Sequence, residues 1–81
     1  MTKAFLIAML HHAQHRNFVI KLSLGAGEMF IGKIANINVK DRVVVLSDTR
    51  DTVYSQSATH FVDIDMVNSM TVFGQMSVDE E

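Results

Sequence analysis

The run from Phe18 to Leu46, FVIKLSLGAGEMFIGKIANINVKDRVVVL, constrains the fold more than any other part of the chain. Phe18, Ile20, Leu22 and Leu24 alternate with Val19, Lys21 and Ser23, which is the period of a strand. Gly25-Ala26-Gly27 follows, and glycine lets the chain reverse there through positive φ. Glu28 to Asn38 is a second extended run, interrupted at Gly32. A glycine inside a strand marks a bulge, a sharp bend or a close approach of another backbone. Val39-Lys40-Asp41 forms a polar knuckle, and Arg42 to Leu46 is a third strand. The three runs make a bent meander, the core of a small barrel.

At 81 residues the chain is one domain, spanning 1–81. A domain of this size buries a modest share of its surface and gains from an added source of stability. It has no cysteine, so disulfides and thiolate metal sites are excluded. Apolar content of 48% then points to burial between subunits. A net charge of −2 argues against a strongly basic nucleic-acid binder but leaves room for a local basic patch. No apolar run reaches the roughly 18 residues of a membrane span. Ala4 to Leu10 is apolar, but it lacks a small-residue cleavage site and is followed by histidines and Arg16, unlike a signal peptide. The expectation is a cytoplasmic protein with no membrane partner and no cofactor.

Thr2 to Arg16 reads as a helix (2–16), with Thr2 as its N-cap. Phe5, Leu6, Met9, Leu10 and Ala13 form one apolar stripe, and Lys3, Ile7, His11, Gln14 and His15 lie on the other face. The helix should lie across an open end or face of the barrel, which occupies 17–73. Thr52 to Ser57 is ambiguous between hairpin and loop. His60 to Val67 reads as a fourth strand, with Val62, Ile64 and Met66 on one face and Phe61, Asp63, Asp65 and Val67 on the other. Asn68-Ser69 is a tight break before a last strand, Met70 to Phe73. Residues 74–81 read as a flexible acidic tail. The expected architecture is mostly β, a five-stranded, strongly bent antiparallel barrel with an N-terminal α-helix. Strands four and five are its edges. Both are apolar and neither carries proline, so pairing between copies is expected, with Val62, Ile64, Met66, Met70 and Val72 at the subunit interface.

Particular residues strengthen this reading. Phe5-Leu6-Ile7-Ala8-Met9-Leu10 is similar to the helix that opens Hfq proteins, the bacterial branch of the Sm/LSm superfamily. Ile20, Leu22 and Leu24, then Gly27, Gly32 and Ile34, resemble the first Sm motif. Val67-Asn68-Ser69-Met70-Thr71-Val72 resembles the close of the second. The resemblance covers residues 4–73 and implies an Sm-like, SH3-type barrel. It also implies a homo-oligomeric ring of about five to seven subunits that binds uridine-rich or adenine-rich single-stranded RNA. Departures accompany it. Where the first motif has Asp, this chain has Asn38; the Gln and aromatic that follow in Hfq fall on Val39 and Lys40. The Asn of other Sm motifs falls on Arg42, and the cationic pair near the pore falls within Asp63-Ile64-Asp65. Carboxylates repeated around a pore would focus a negative field there.

The candidate RNA contacts are Asn38, Lys40 and Arg42. Asn38 can read a base edge, and Arg42 can pair a phosphate or stack on a base. The plainer alternative is a solvated turn with an Arg–Asp pair. His11 and His15 sit one helical turn apart and could share a metal ion, but no third ligand is evident; they read more simply as a polar face. With Lys3 and Arg16, that face is a second candidate for RNA phosphates. Asp63 and Asp65 could work as paired carboxylates, yet no nucleophile, pocket motif or phosphate loop accompanies them, and they read as a solvated or subunit-boundary pair. Phe30 and Tyr54 are candidate stacking aromatics, with Phe30 read as core. The methionines read as adaptable core or interface filler. No catalytic constellation is present, so the expectation is not an enzyme. Two functions follow: an Sm-like ring that binds single-stranded RNA as chaperone or scaffold, or a structural, protein-interaction ring that has lost the uridine site.

Overall fold

Thr2 and Asn17 set the limits of the first element. The Thr2 hydroxyl accepts a hydrogen bond from the Phe5 N–H at 3.1 Å and caps α1, Lys3–Arg16. Asn17 takes a left-handed conformation (φ 59°), and the Phe18 N–H then donates to the Ala13 carbonyl at 3.0 Å, closing the helix C-terminus. A computed structural model describes residues 2–48 and 58–74. After α1 come β1 Val19–Leu24, β2 Met29–Asn38, β3 Val43–Asp48 and β4 Ala58–Asp63. A short 3-10 turn, Ile64–Met66, leads into β5 Val67–Val72.

The five strands form one antiparallel sheet in the order β4-β3-β2-β1-β5. Its pairing supports an open sheet and not a closed barrel, because β4 and β5 have no strand beyond them among the described residues. Gly27 makes the β1–β2 reversal with φ 91°. Gly32 has a different task. A Cβ there would stand 2.6 Å from the Ser47 carbonyl oxygen, so β3 approaches β2 to a distance that a side chain would forbid. Of the bulge, bend or close approach expected at this glycine, the close approach is the one found, and the register shift in this pair lies beyond it, between Ile34 and Asn36.

Alternation along the strands builds the core. Ile20 and Leu22 of β1, Val44 and Leu46 of β3, and Val62 of β4 turn to one face, where α1 delivers Leu6, Leu10 and Ala13. Fully burying one such aliphatic side chain is worth roughly 1.5–3 kcal/mol. The buried face of α1 is narrower than the apolar stripe in its sequence, since Phe5 remains more than half exposed and Met9 is half-buried.

The fourth strand departs most from expectation. It ends at Asp63, and the chain does not continue extended to Val67. The Asp63 carboxylate accepts from the Asp65 N–H at 2.9 Å and caps the 3-10 turn, so Asp63 and Asp65 do not share a strand face. The break falls there and not at Asn68-Ser69, which lie within β5. From α1, the Lys3 ammonium donates to the carbonyls of Ile64, Asp65 and Val67 at 3.3, 3.2 and 3.3 Å, fastening the helix start to this turn.

Candidate functional site

The knuckle between β2 and β3 carries all three residues expected to meet RNA, and two of them, Asn38 and Arg42, are engaged. The Asn38 side chain accepts from the Asp41 N–H and donates to the Asp41 carboxylate, both at 3.0 Å. This Asx-type closure holds the turn. Arg42 follows with φ 59°, a region that Asn and Gly enter more easily than Arg. From there its guanidinium reaches across to the 3-10 turn. Nε donates to both Asp65 carboxylate oxygens at 2.9 Å and Nη2 donates to Oδ1 at 2.7 Å. The arginine therefore pairs with Asp65, 23 residues away, and not with its neighbour Asp41. These hydrogen bonds, with the charge of Arg42, hold the Asp65 carboxyl below its ordinary range, while Asp65 raises the Arg42 guanidinium. Both side chains stay open to water, at 40% and 49% exposure, so solvent screens the pair. Lys40, at the tip of the turn, is exposed.

The helix face is less organised. His11, His15 and Arg16 are all exposed on α1. His12 turns towards Phe18, ring to ring at 6.3 Å and 70°. Among the described residues no three His, Cys, Asp or Glu side chains come together as a metal site. Phe30 is half-buried and lies 5.0 Å from the His60 ring. Tyr54 lies outside the described residues.

The expected interface set separates into two groups. Val62 (2% exposed) and Ile64 (0%) belong to the chain's own core, so their side chains are not offered to another subunit. Their burial has a local cause: Val62 opposes Val44 on the buried face of β3, and the 3-10 turn folds Ile64 inward. Met66 is exposed, and Met70 and Val72 are half-buried on the edge strand β5. With Phe5 and Met9 of α1, Met70 and Val72 line an apolar recess of about 150 Å³.

On the other edge the outward residue is Phe61, 73% exposed and the most open of the large apolar side chains described. Sequence alternation places Phe61 on the face opposite Val62, and the expected interface names the Val62 face. The signal was available: a strand with Val62 in a core must turn Phe61 to solvent. The roles of Phe5 and Met9 were hidden inside an amphipathic stripe that reads as uniform core.

Among the described residues no helix is long and apolar enough to cross a membrane. Comparison of the chain with family models, with curated proteins and with solved structures returns no match.

Proposed function

We propose that this chain is an Sm-like self-assembling protein, in which β4 of one copy pairs head to tail with β5 of the next to close a ring. The carrying observation is the contrast between its surfaces. Among the described residues the sheet has two edges with no further strand, with Phe61 exposed on one and the Phe5, Met9, Met70 and Val72 recess beside the other. Backbone groups on open edges are templates for strand addition, and a head-to-tail contact closes when its rotation allows. The residue motifs between Phe5 and Val72 support the Sm-like assignment. On this reading the ring is a structural or protein-interaction scaffold. Asn38 is held by Asp41 and Arg42 by Asp65, where uridine recognition would need them free.

A second reading, single-stranded RNA binding at the knuckle, is favoured by exposed Lys40 beside a water-accessible Arg42. Phosphate oxygens could exchange with Asp65 for the guanidinium, since a solvent-screened pair holds weakly. Fluorescence anisotropy of short oligo-U and oligo-A RNAs at low and moderate salt, with native mass on the same sample, separates the readings. Assembly without RNA binding supports the scaffold. Salt-dependent binding that is lost in the Lys40→Ala/Arg42→Ala double variant supports the RNA ring. A monomer contradicts both.

A further inference from the structure

We propose that Phe61 of one copy seats in the recess formed by Phe5, Met9, Met70 and Val72 of the next, making an aromatic knob the anchor of self-assembly. This rests on the edge pairing proposed above and goes further, because it names the side chains that meet.

The geometry follows from topology. Across the sheet the strands run β4-β3-β2-β1-β5, and each neighbouring pair is antiparallel. With five strands, β4 and β5 therefore point the same way. A second copy's β4 laid antiparallel against β5 must point the opposite way, while its other strands continue outward. At the junction this presents the second copy's β4 with its two faces exchanged. The core face of one copy then runs into the outer face of the next.

Residues on those two faces are known. Met70 opposes Leu22, and Val72 opposes Ile20, both fully buried, so Met70 and Val72 are on the core face of β5. Phe61 opposes Val45 and lies between buried Val62 and half-buried His60, so it is on the outer face of β4. The exchange of faces brings Phe61 to the side of Met70 and Val72. Parallel addition would instead bring up Val62, which is already buried.

The hydrogen-bond parity agrees. The Phe73 N–H donates to the Val19 carbonyl at 2.8 Å, so by alternation Thr71 faces β1 while Met70 and Val72 turn their backbone groups to the free edge. The Ile64 N–H donates to the Arg42 carbonyl at 2.9 Å, so Val62 faces β3 and Phe61 turns to the free edge. In an antiparallel ladder these outward residues oppose each other directly, with side chains on one face. Phe61 can thus stand opposite Met70 or Val72. The recess, about 150 Å³ and open to solvent on one side, has room for a benzene ring, which is the tip of Phe61.

The test uses Phe61→Glu and Phe5→Glu. Both positions are more than half exposed in the single chain, so each variant should keep the wild-type far-UV circular dichroism. Native mass spectrometry of wild type should give multiples of the 9.1 kDa chain, and each variant alone should give the single chain. An equimolar mixture should give a heterodimer, because the Phe5→Glu copy still offers a knob and the Phe61→Glu copy still offers a recess. That dimer should not extend, since its remaining knob and recess both carry glutamate. The milder Phe61→Ala and Phe5→Ala should each weaken assembly by at least about tenfold. The proposal is overturned if the wild type assembles and either glutamate variant assembles equally, or if the mixture stays monomeric. A monomeric wild type would remove the self-assembly reading itself, a different result.

Discussion

At the knuckle, Asn38 and Asp41 bind each other, and Arg42 binds Asp65. At the sheet edges, Phe61 stands in solvent on β4, and Met70 and Val72 border a recess along β5. Asn38, Asp41, Arg42 and Asp65 are matched within one chain, whereas the apolar edges meet no further strand among the described residues. A charged cluster attracts attention in a sequence, but its charges can be matched internally. A bare strand edge cannot, because its outward N–H and C=O groups need another strand or water. The difference teaches that a partner for this chain is better sought at the edges than at the charges.

Substitutions in the core, the strands and the knuckle separate the two regions. The largest effect belongs to the core that holds both edges in place. Leu10→Ala empties a fully buried site and should lower unfolding free energy by roughly 2–5 kcal/mol in chemical denaturation. If the loss is negligible, the helix does not seal the sheet and the recess loses its wall. Next is Gly32→Ala. Its Cβ would press on the Ser47 carbonyl, and a cost of about 1–3 kcal/mol is expected as the strands separate. A neutral result would mean that β2 and β3 are not drawn this close. Thr2→Ala removes the cap of α1 and should cost about 1 kcal/mol, with Thr2→Ser recovering most of it.

The smallest effect is expected at the knuckle. Asp65 has a folded-state pKa below its ordinary value of 3.8, so its contribution is present above that value and is lost as pH falls through the lower, folded value. Acid titration of stability should show a shallow decline in that window, and Asp65→Asn should flatten it. A steep loss near pH 5 would indicate a different titrating group. Because the pair is water-exposed, the same substitution should change stability at neutral pH only slightly.

Much of the fold was legible. Thr2 as cap, the reversal at Gly25 to Gly27, the knuckle, and β4 and β5 as edges follow from period, glycine placement and capping chemistry. Closure into a barrel was not legible, since it depends on how far a sheet curls and no local pattern encodes that. The 3-10 turn at Ile64–Met66 was masked by alternation that carries on through it: Val62, Ile64 and Met66 keep a strand's period although the last two are not in one. At the candidate site, the residue types at 38, 40 and 42 were readable, but their partners were not. The Arg42–Asp65 contact joins positions far apart in sequence, and only the turn capped by Asp63 brings the carboxylate within reach. The exposure of Phe61 was not readable for a related reason, because it depends on which face of β4 the core takes.

Native mass spectrometry of the wild-type chain, followed across serial dilution, tests the central claim most directly. Pairing of β4 with β5 predicts a discrete multiple of 9.1 kDa that dissociates on dilution or on adding Phe61→Glu chain in excess. A single 9.1 kDa species at every concentration would contradict the account and leave the open edges as features of a monomer.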